Sequence, residues 1–217
     1  MLRYAIKMLI GEKLKYYGII WALSFGSFII TQQAGIFLGL MSRTYGLITD
    51  TSQPDIWVMD PKVRYVDEIQ PLKDTDLFRV KSIAGVRWAV PLYKGKIKAK
   101  LSTGAFAICN VIGIDDSTLI GGPPQFIQGS IEDIKKTDGI IVNAVGASDR
   151  LAVEMPDGRK IPLKIGDTIE LNDHRAVVQA ICKNTRNFRS QPIIYTTYTR
   201  ALFFAPPDSK LLSFVLV

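Results

Sequence analysis

The chain is poor in the side chains that solution chemistry depends on. It has one histidine and two cysteines in 217 residues. His174 sits in the polar stretch "LNDHR" with no second His or Cys at metal spacing, so it reads as a surface residue at a hairpin turn. No C-x-x-C, G-x-x-x-x-G-K-[ST], G-x-S-x-G or G-x-G-x-x-G occurs. The adjacent Asp115 and Asp116 point in different directions along a strand or turn, which favours turn or capping roles over a paired-carboxylate centre. There is thus no catalytic, cofactor-binding or metal-ligating residue to nominate, and the chain is not expected to hydrolyse ATP. Cys109 in "FAICNVIG" and Cys182 in "VVQAICKN" lie in apolar stretches that read as buried strands, and two thiols that never meet is the simpler reading.

The most informative absence is of charge. From Tyr16 to Met41 there is no Asp, Glu, Lys, Arg or His, and eleven of those 26 residues are Ile, Leu or Phe. As a helix they would measure about 39 Å against a hydrocarbon core of about 30 Å. The run therefore predicts a membrane-crossing helix over residues 16–42. Its apolar content outweighs the cost of Gln32 and Gln33 by a few kcal/mol at about 0.3–0.6 kcal/mol per Ile, Leu or Phe. A cleaved signal is the competing pattern, but the basic start is long, the apolar run exceeds the usual h-region, and "LGLMSRTYG" puts bulky residues where a cleavage site needs small ones.

The net charge of +7 is mostly positional. Residues 1–43 carry Arg3, Lys7, Lys13, Lys15 and Arg43 against Glu12, while the remainder holds 22 cations against 19 acids. That distribution argues against nucleic acid as a partner. Four of those five cations precede the apolar run, which the positive-inside rule reads as a cytoplasmic N-terminus and a main domain delivered across the membrane. Leu2, Ile6, Leu9, Ile10 and Leu14 recur at helical spacing among Arg3, Lys7 and Lys13, predicting an amphipathic helix over residues 1–15. It either lies flat on the inner surface with Arg3, Lys7, Lys13 and Lys15 against lipid headgroups, or extends the spanning helix into the cytoplasm.

Within the span, Ser27, Thr31, Gly35 and Gly39 fall four apart and share one face, ending in G-x-x-x-G. Small residues so placed let another helix approach closely, and Gln32 and Gln33 are better explained by hydrogen bonds to protein or water than by lipid contact. The helix is expected to have neighbours.

After Arg43 the pattern becomes α+β. "PDIWVMD" reads as a strand, "LKDTDLFRVKSIAGV" as a helix starting at Asp74 or Thr75 and ending at Gly85, and "RWAVPLYKGKIKAKL" as a strand. From Tyr93 to Leu101 alternation is strict. Tyr93, Gly95, Ile97, Ala99 and Leu101 share one face, and Lys94, Lys96, Lys98 and Lys100 form the other, which reads as a solvated face that discourages edge pairing, the alternative being a surface for acidic lipid heads or a partner's acidic patch. "FAICNVIGI" is the expected hairpin partner. Residues 120–189 look like a β-rich insert punctuated by "GGPP", "MPDGRK", "IGD" and "NDH", with one short helix in "SIEDIKKTDG" and a strand then a helix in "GIIVNAVGASDRLAV". "NTRNFRSQP" reads as loop, "IIYTTYTRALFF" as strand plus helix, and "LLSFVLV" as a closing strand.

Taken together, "MLRYAIKMLIGEKLKYYGI", one spanning helix, "QPDIWVMDP", "DTDLFRVKSIAGVRWAVPLY", "NVIGIDD", "GDTIELNDHRAVVQAI" and "FVLV" resemble the front half of MacB-type (FtsX-like) ABC exporter permeases, DevC-like branch. The pattern is D-L-x-x-x-x-x-I-x-G-V-x-x-A-x-P with V-x-G-I-D. The resemblance implies a periplasmic or extracellular core domain at residues 43–217, outside a bacterial inner membrane. That domain would have two lobes: residues 43–119 with 190–217 as a strand-helix-strand lobe, and residues 120–189 as the insert. It implies an exporter permease coupled to a separate ATP-binding subunit, a second permease copy in a homodimer, a membrane-fusion adaptor, an outer-membrane channel and membrane lipids, with a lipid, peptide or drug-like substrate. A lipoprotein-releasing or cell-division-type permease and a single-pass anchored binding module are the alternatives. Such permeases continue with three further spans, so the resemblance also implies that these residues are the front part of a longer chain.

Overall fold

The computed structural model describes residues 4, 11–51, 53–64, 68–155, 158–185, 190–207 and 211–217. It divides into two compact units, residues 1–42 and 43–217. The first is dominated by α1 (Lys13–Thr44), an unbroken 32-residue helix with no buried residue. Among the described residues it is the one helix long and apolar enough to cross a membrane. Lys13 and Lys15 lie in its first turn, so the expected change at residue 16 is not a break in the helix. Arg3 and Lys7, with most of the expected amphipathic segment, lie outside the described residues.

The second unit runs, in chain order, through α2 (Gly46–Asp50), β1 (Trp57–Val58), α3 (Asp74–Lys81), β2 (Val90–Lys100), β3 (Phe106–Ile114), β4 (Gln125–Gln128), a 3-10 turn (Ile131–Lys135), β5 (Gly139–Asn143), α4 (Ala144–Ser148), β6 (Val153–Glu154), β7 (Lys160–Ile161), β8 (Thr168–Leu171), β9 (His174–Lys183), β10 (Ile193–Thr197), α5 (Tyr198–Phe204) and β11 (Phe214–Leu216). The expected order of strand, helix, strand, strand is present. Helix α3 starts at Asp74, one of the two expected positions: the Lys73 N–H before it donates to the Asp76 carboxylate at 3.1 Å, and Gly85, at φ +96, closes the turn beyond it.

The strand pairings close a ring. β2 pairs β3, β3 pairs β10 in parallel, β10 pairs β5, β5 pairs β9 in parallel, β9 pairs β8, and β8 returns to β2 at Ala99 and Lys100. β11 and β1 extend the sheet from the start of β2, and β4 extends it from β9. The parts expected as two lobes are therefore joined: strands from residues 120–189 and from the flanking segments share one sheet. They also share a core, in which Tyr93, Ile97 and Val111 pack with Ile140, Ile169 and Val178. Helix α5 contributes Ala201 and Phe204 to the same cluster.

Face assignment follows the period of two. Tyr93, Ile97, Ala99 and Leu101 point into the ring, as the alternation demands. In β9, Ala176 and Val178 face the ring interior whereas Ala180 and Cys182 join the cluster on the other side. Residues of like parity can change faces because the β5–β9 register shifts between Ile140 and Ile141, leaving Gln179 as an extra residue. Cys109 and Cys182 consequently lie in different clusters, on opposite faces of the sheet. Burial pushes both thiols up to about 12. The "NDH" turn is a two-residue hairpin between Leu171 and His174, with Asn172 at φ 50 and Asp173 at φ 65, the left-handed pair of a type I′ turn. "MPDGRK" joins β6 to β7, although residues 156–157 lie outside the described set.

Two residues depart from the sequence-based expectation. Lys94 is only 4% exposed, so the lysine face is not uniformly solvated. His174 is half-buried at the start of β9, with its ring 4.1 Å from that of Phe203.

Gly95 is the tightest point of the ring wall, because a Cβ there would come within 2.6 Å of Tyr93 Cζ. Gly95→Ala is expected to cost about 1–3 kcal/mol by overpacking, measured by chemical unfolding. The buried Tyr93 hydroxyl has no hydrogen-bond partner. Tyr93→Phe is therefore expected to be neutral or stabilising in the same assay.

Candidate functional site

The sequence-nominated face of α1 is laid out as the spacing requires. Ser27, Thr31, Gly35 and Gly39 are all exposed, and no heavy atom lies within 4 Å of a Cβ built on Gly35 or Gly39. Thr31 Oγ1 donates to Ser27 O at 2.9 Å, and Ser42 Oγ to Gly39 O at 3.0 Å, so these hydroxyls are satisfied within the helix. Gln32 and Gln33 are exposed beside them. Lys13 and Lys15 are exposed, and Lys15 is paired with Glu12.

Within the second unit the most specific polar constellation is one the sequence did not single out. Its first element, α2, is held by the loop after β9. The Asp50 carboxylate accepts the Thr185 N–H at 2.7 Å and the Thr185 hydroxyl at 2.8 Å. Gly46 lies beneath the same side chain, where a Cβ would approach Thr185 Cγ2 to 2.8 Å. These groups enclose a roughly water-sized cavity with Lys94, Asn110 and Asn184 on its walls. Asn184 Nδ2 donates to the Tyr195 hydroxyl at 3.4 Å, and burial pushes that phenol's pKa up. The Lys94 N–H donates to Ser213 Oγ at 2.9 Å, and Ser213 Oγ returns a bond to Lys94 O at 3.1 Å. The latch thus fixes the start of the domain, just after α1, to its sheet. No local pattern signals it, since Asp50 and Thr185 are 135 residues apart.

The Asp115–Asp116 pair is divided between two structural tasks. Asp115 accepts bonds from Ser117 Oγ at 2.6 Å and from Thr118 N and Oγ1 at 2.8 Å, building the turn after β3. Asp116 caps α5 by accepting the Thr199 N–H at 3.2 Å and the Thr199 hydroxyl at 3.0 Å. A groove runs past Asp116, Asp138, Arg200 and Phe203. Arg200 already donates to Ile134 O at 2.8 Å and Gly139 O at 2.9 Å, so the cation serves the fold. Among the described residues no group of His, Cys, Asp and Glu could hold a metal ion. What this arrangement can do is mechanical, holding strands and the α2 stem in fixed register.

No family model matches the chain, and no curated protein matches it. Solved structures similar to the chain include two domains of ABC-type transporters. One is the extracellular domain of the noncanonic ABC-type transporter YknZ from Gram-positive bacteria: TM-score 0.47, 13% identity, 67% of this chain and 71% of that one covered. The other is the periplasmic region of MacB from Actinobacillus actinomycetemcomitans: TM-score 0.46, 16% identity, 69% of this chain and 65% of that one covered. At such scores and identities no function transfers.

Two outcomes follow for these residues. A double-mutant cycle of Asp50→Ala and Thr185→Ala is expected to give about 1–2 kcal/mol of coupling in unfolding free energy, which reports the charge-assisted hydroxyl bond alone, since Thr185→Ala keeps the backbone N–H that also meets Asp50. For Asp115, burial raises the pKa but the bonds from Ser117 and Thr118 outweigh it, leaving the carboxyl below its ordinary range. Its stabilising effect is then full above the unfolded carboxylate value of about 3.9 and lost as pH falls through the lower folded value. Asp115→Asn is expected to flatten the loss of unfolding free energy below pH 4, read by denaturant titrations at pH 2 to 6.

Proposed function

We propose that the chain is permease material of an ABC exporter, with α1 crossing the inner membrane from a cytoplasmic N-terminus and residues 43–217 forming the domain outside. The observation that carries this reading is α1 itself. Trp21, Leu23 and Ile30 are 71%, 70% and 72% exposed, an apolar surface that water does not tolerate over such a length and that lipid or other spanning helices would cover. The sequence resemblance then selects among anchored proteins. Most of its pattern residues serve the fold: Asp76 caps α3, Leu77, Val86 and Ala89 pack in one cluster, and Gly113 meets Ala201, whose Cβ would lie 2.5 Å from a Cβ on that glycine, while Ile83 is exposed. They define a domain type rather than a catalyst, as a mechanical transmitter driven by a separate ATPase requires.

In this reading ATP hydrolysis by the separate subunit moves the spanning helices, and α2, latched by Asp50, passes the movement into the sheet. Substrate then leaves through an adaptor and an outer-membrane channel, two permease copies forming the transporter. The chain purified from its native membrane is expected to bring down a nucleotide-binding subunit and a membrane-fusion adaptor. Recovery with the ATPase and no adaptor would point to a lipoprotein-releasing or cell-division-type permease, and recovery with neither would overturn the transport reading. Gly35→Leu with Gly39→Leu is expected to lower recovery of the assembled complex several-fold, because the bulky side chains hold a partner helix away. Undiminished assembly would remove the helix-interface role from Ser27, Thr31, Gly35 and Gly39.

A further inference from the structure

The alternating lysines of β2 have no part in the transport cycle described above, and the fold gives them a setting the sequence did not disclose. Lys94 lines the small cavity beside Asp50. The other three remain on the outer wall, where register joins them to neighbouring strands. Lys100 lies opposite Phe106 in β3 and opposite Glu170 in β8, and Glu170 lies opposite Arg175 in β9. One row across four strands therefore reads Arg175, Glu170, Lys100, Phe106. The next row pairs Lys98 with Ile108, and the third pairs Lys96 with Asn110. Lys96, Lys98, Lys100 and Arg175 face two acids, Glu170, which bonds Lys100 Nζ at 2.8 Å, and Asp173 in the adjoining β8–β9 turn, which also attracts Lys100. Phe106 and Ile108 stand among the cations at 59% and 54% exposure. Lys98 Nζ sits 3.7 Å from the centre of the Phe106 ring. Charge and apolar surface are thus interleaved on one wall.

We infer that this wall binds an anionic lipid surface. Cations with large apolar side chains between them match a headgroup layer, where lysine meets phosphate and Phe106 and Ile108 enter the acyl boundary. An acidic protein segment would satisfy the charges but leave two half-exposed apolar side chains without a matched pocket. A bilayer satisfies both at once. The reading also suits a chain whose own apolar helix keeps lipid at high effective concentration. It does not depend on the identity of any transport partner.

The test uses the full chain held in phosphatidylcholine nanodiscs and mixed with sedimentable vesicles. Binding is expected to vesicles of two parts phosphatidylcholine to one part phosphatidylglycerol and not to phosphatidylcholine alone, and to weaken as salt is raised. Lys96→Glu with Lys98→Glu is expected to lower binding by about tenfold or more. Phe106→Ser with Ile108→Ser lowers it with less salt dependence. These four side chains are on the surface, so circular dichroism of each variant is expected to match the parent. A fluorophore on Ser102→Cys, in the turn between β2 and β3, should shift to the blue on binding, the buried Cys109 and Cys182 being unreactive. Vesicle binding unaffected by the charge reversals overturns the assignment. So does failure to bind the phosphatidylglycerol vesicles, or retention of the chain by soluble polyglutamate in their place, the latter reassigning the wall to an acidic protein.

Discussion

Strand β2 has to satisfy three neighbours at once, and the rest of the domain is arranged around that demand. Its first residues pair with β11, Tyr93 to Lys100 pair with β3, and the last two of these pair with β8 as well. A slip of one residue would turn Tyr93, Ile97, Ala99 and Leu101 outward and put lysines in the core, at a cost of several kcal/mol for each charge. Register is therefore fixed by chemistry on both faces. Gly95 is part of the same constraint, because the Tyr93 ring lies over it and leaves no room for a side chain.

Much of this was legible locally. Strict alternation revealed β2, the "NDH" turn revealed the β8–β9 hairpin, and "DTDLFRVK" revealed α3. The ring was not legible. Its closure rests on the parallel pairs β3–β10 and β5–β9, and β5, reading "GIIVN", is buried on both faces and carries no period. The shared core of residues 43–119 and 120–189 went unseen for the same reason, since pairings between distant segments leave no mark on neighbouring residues. Lys94 shows the complement. Period two placed it with three other lysines, but which part of a polar face another element covers is decided by tertiary packing, here by α2.

The latch at Asp50 illustrates how a site without chemistry can still be specific. A carboxylate held by one residue's N–H and hydroxyl is a geometric fixture, and Gly46 lets the two segments approach closely enough for both bonds to form. Its position in the chain matters more than its strength. It stands at the start of the domain, where α2 cannot leave the loop after β9 without breaking both bonds.

The residues that carry the family pattern and those that could carry specificity are different sets, and this explains why fold was readable where substrate was not. Asp76, Leu77, Val86, Gly113 and Asp115 cap, pack or turn the chain. Such roles constrain residue type tightly. Lys96, Lys98, Phe106 and Phe203 are exposed and unconstrained by the core. Substitution there changes what the surface meets without changing the fold, usually within about 0.5 kcal/mol of stability. A surface of that kind can meet a different partner without a change of fold, and the cationic, apolar wall of β2 and β3 belongs to it.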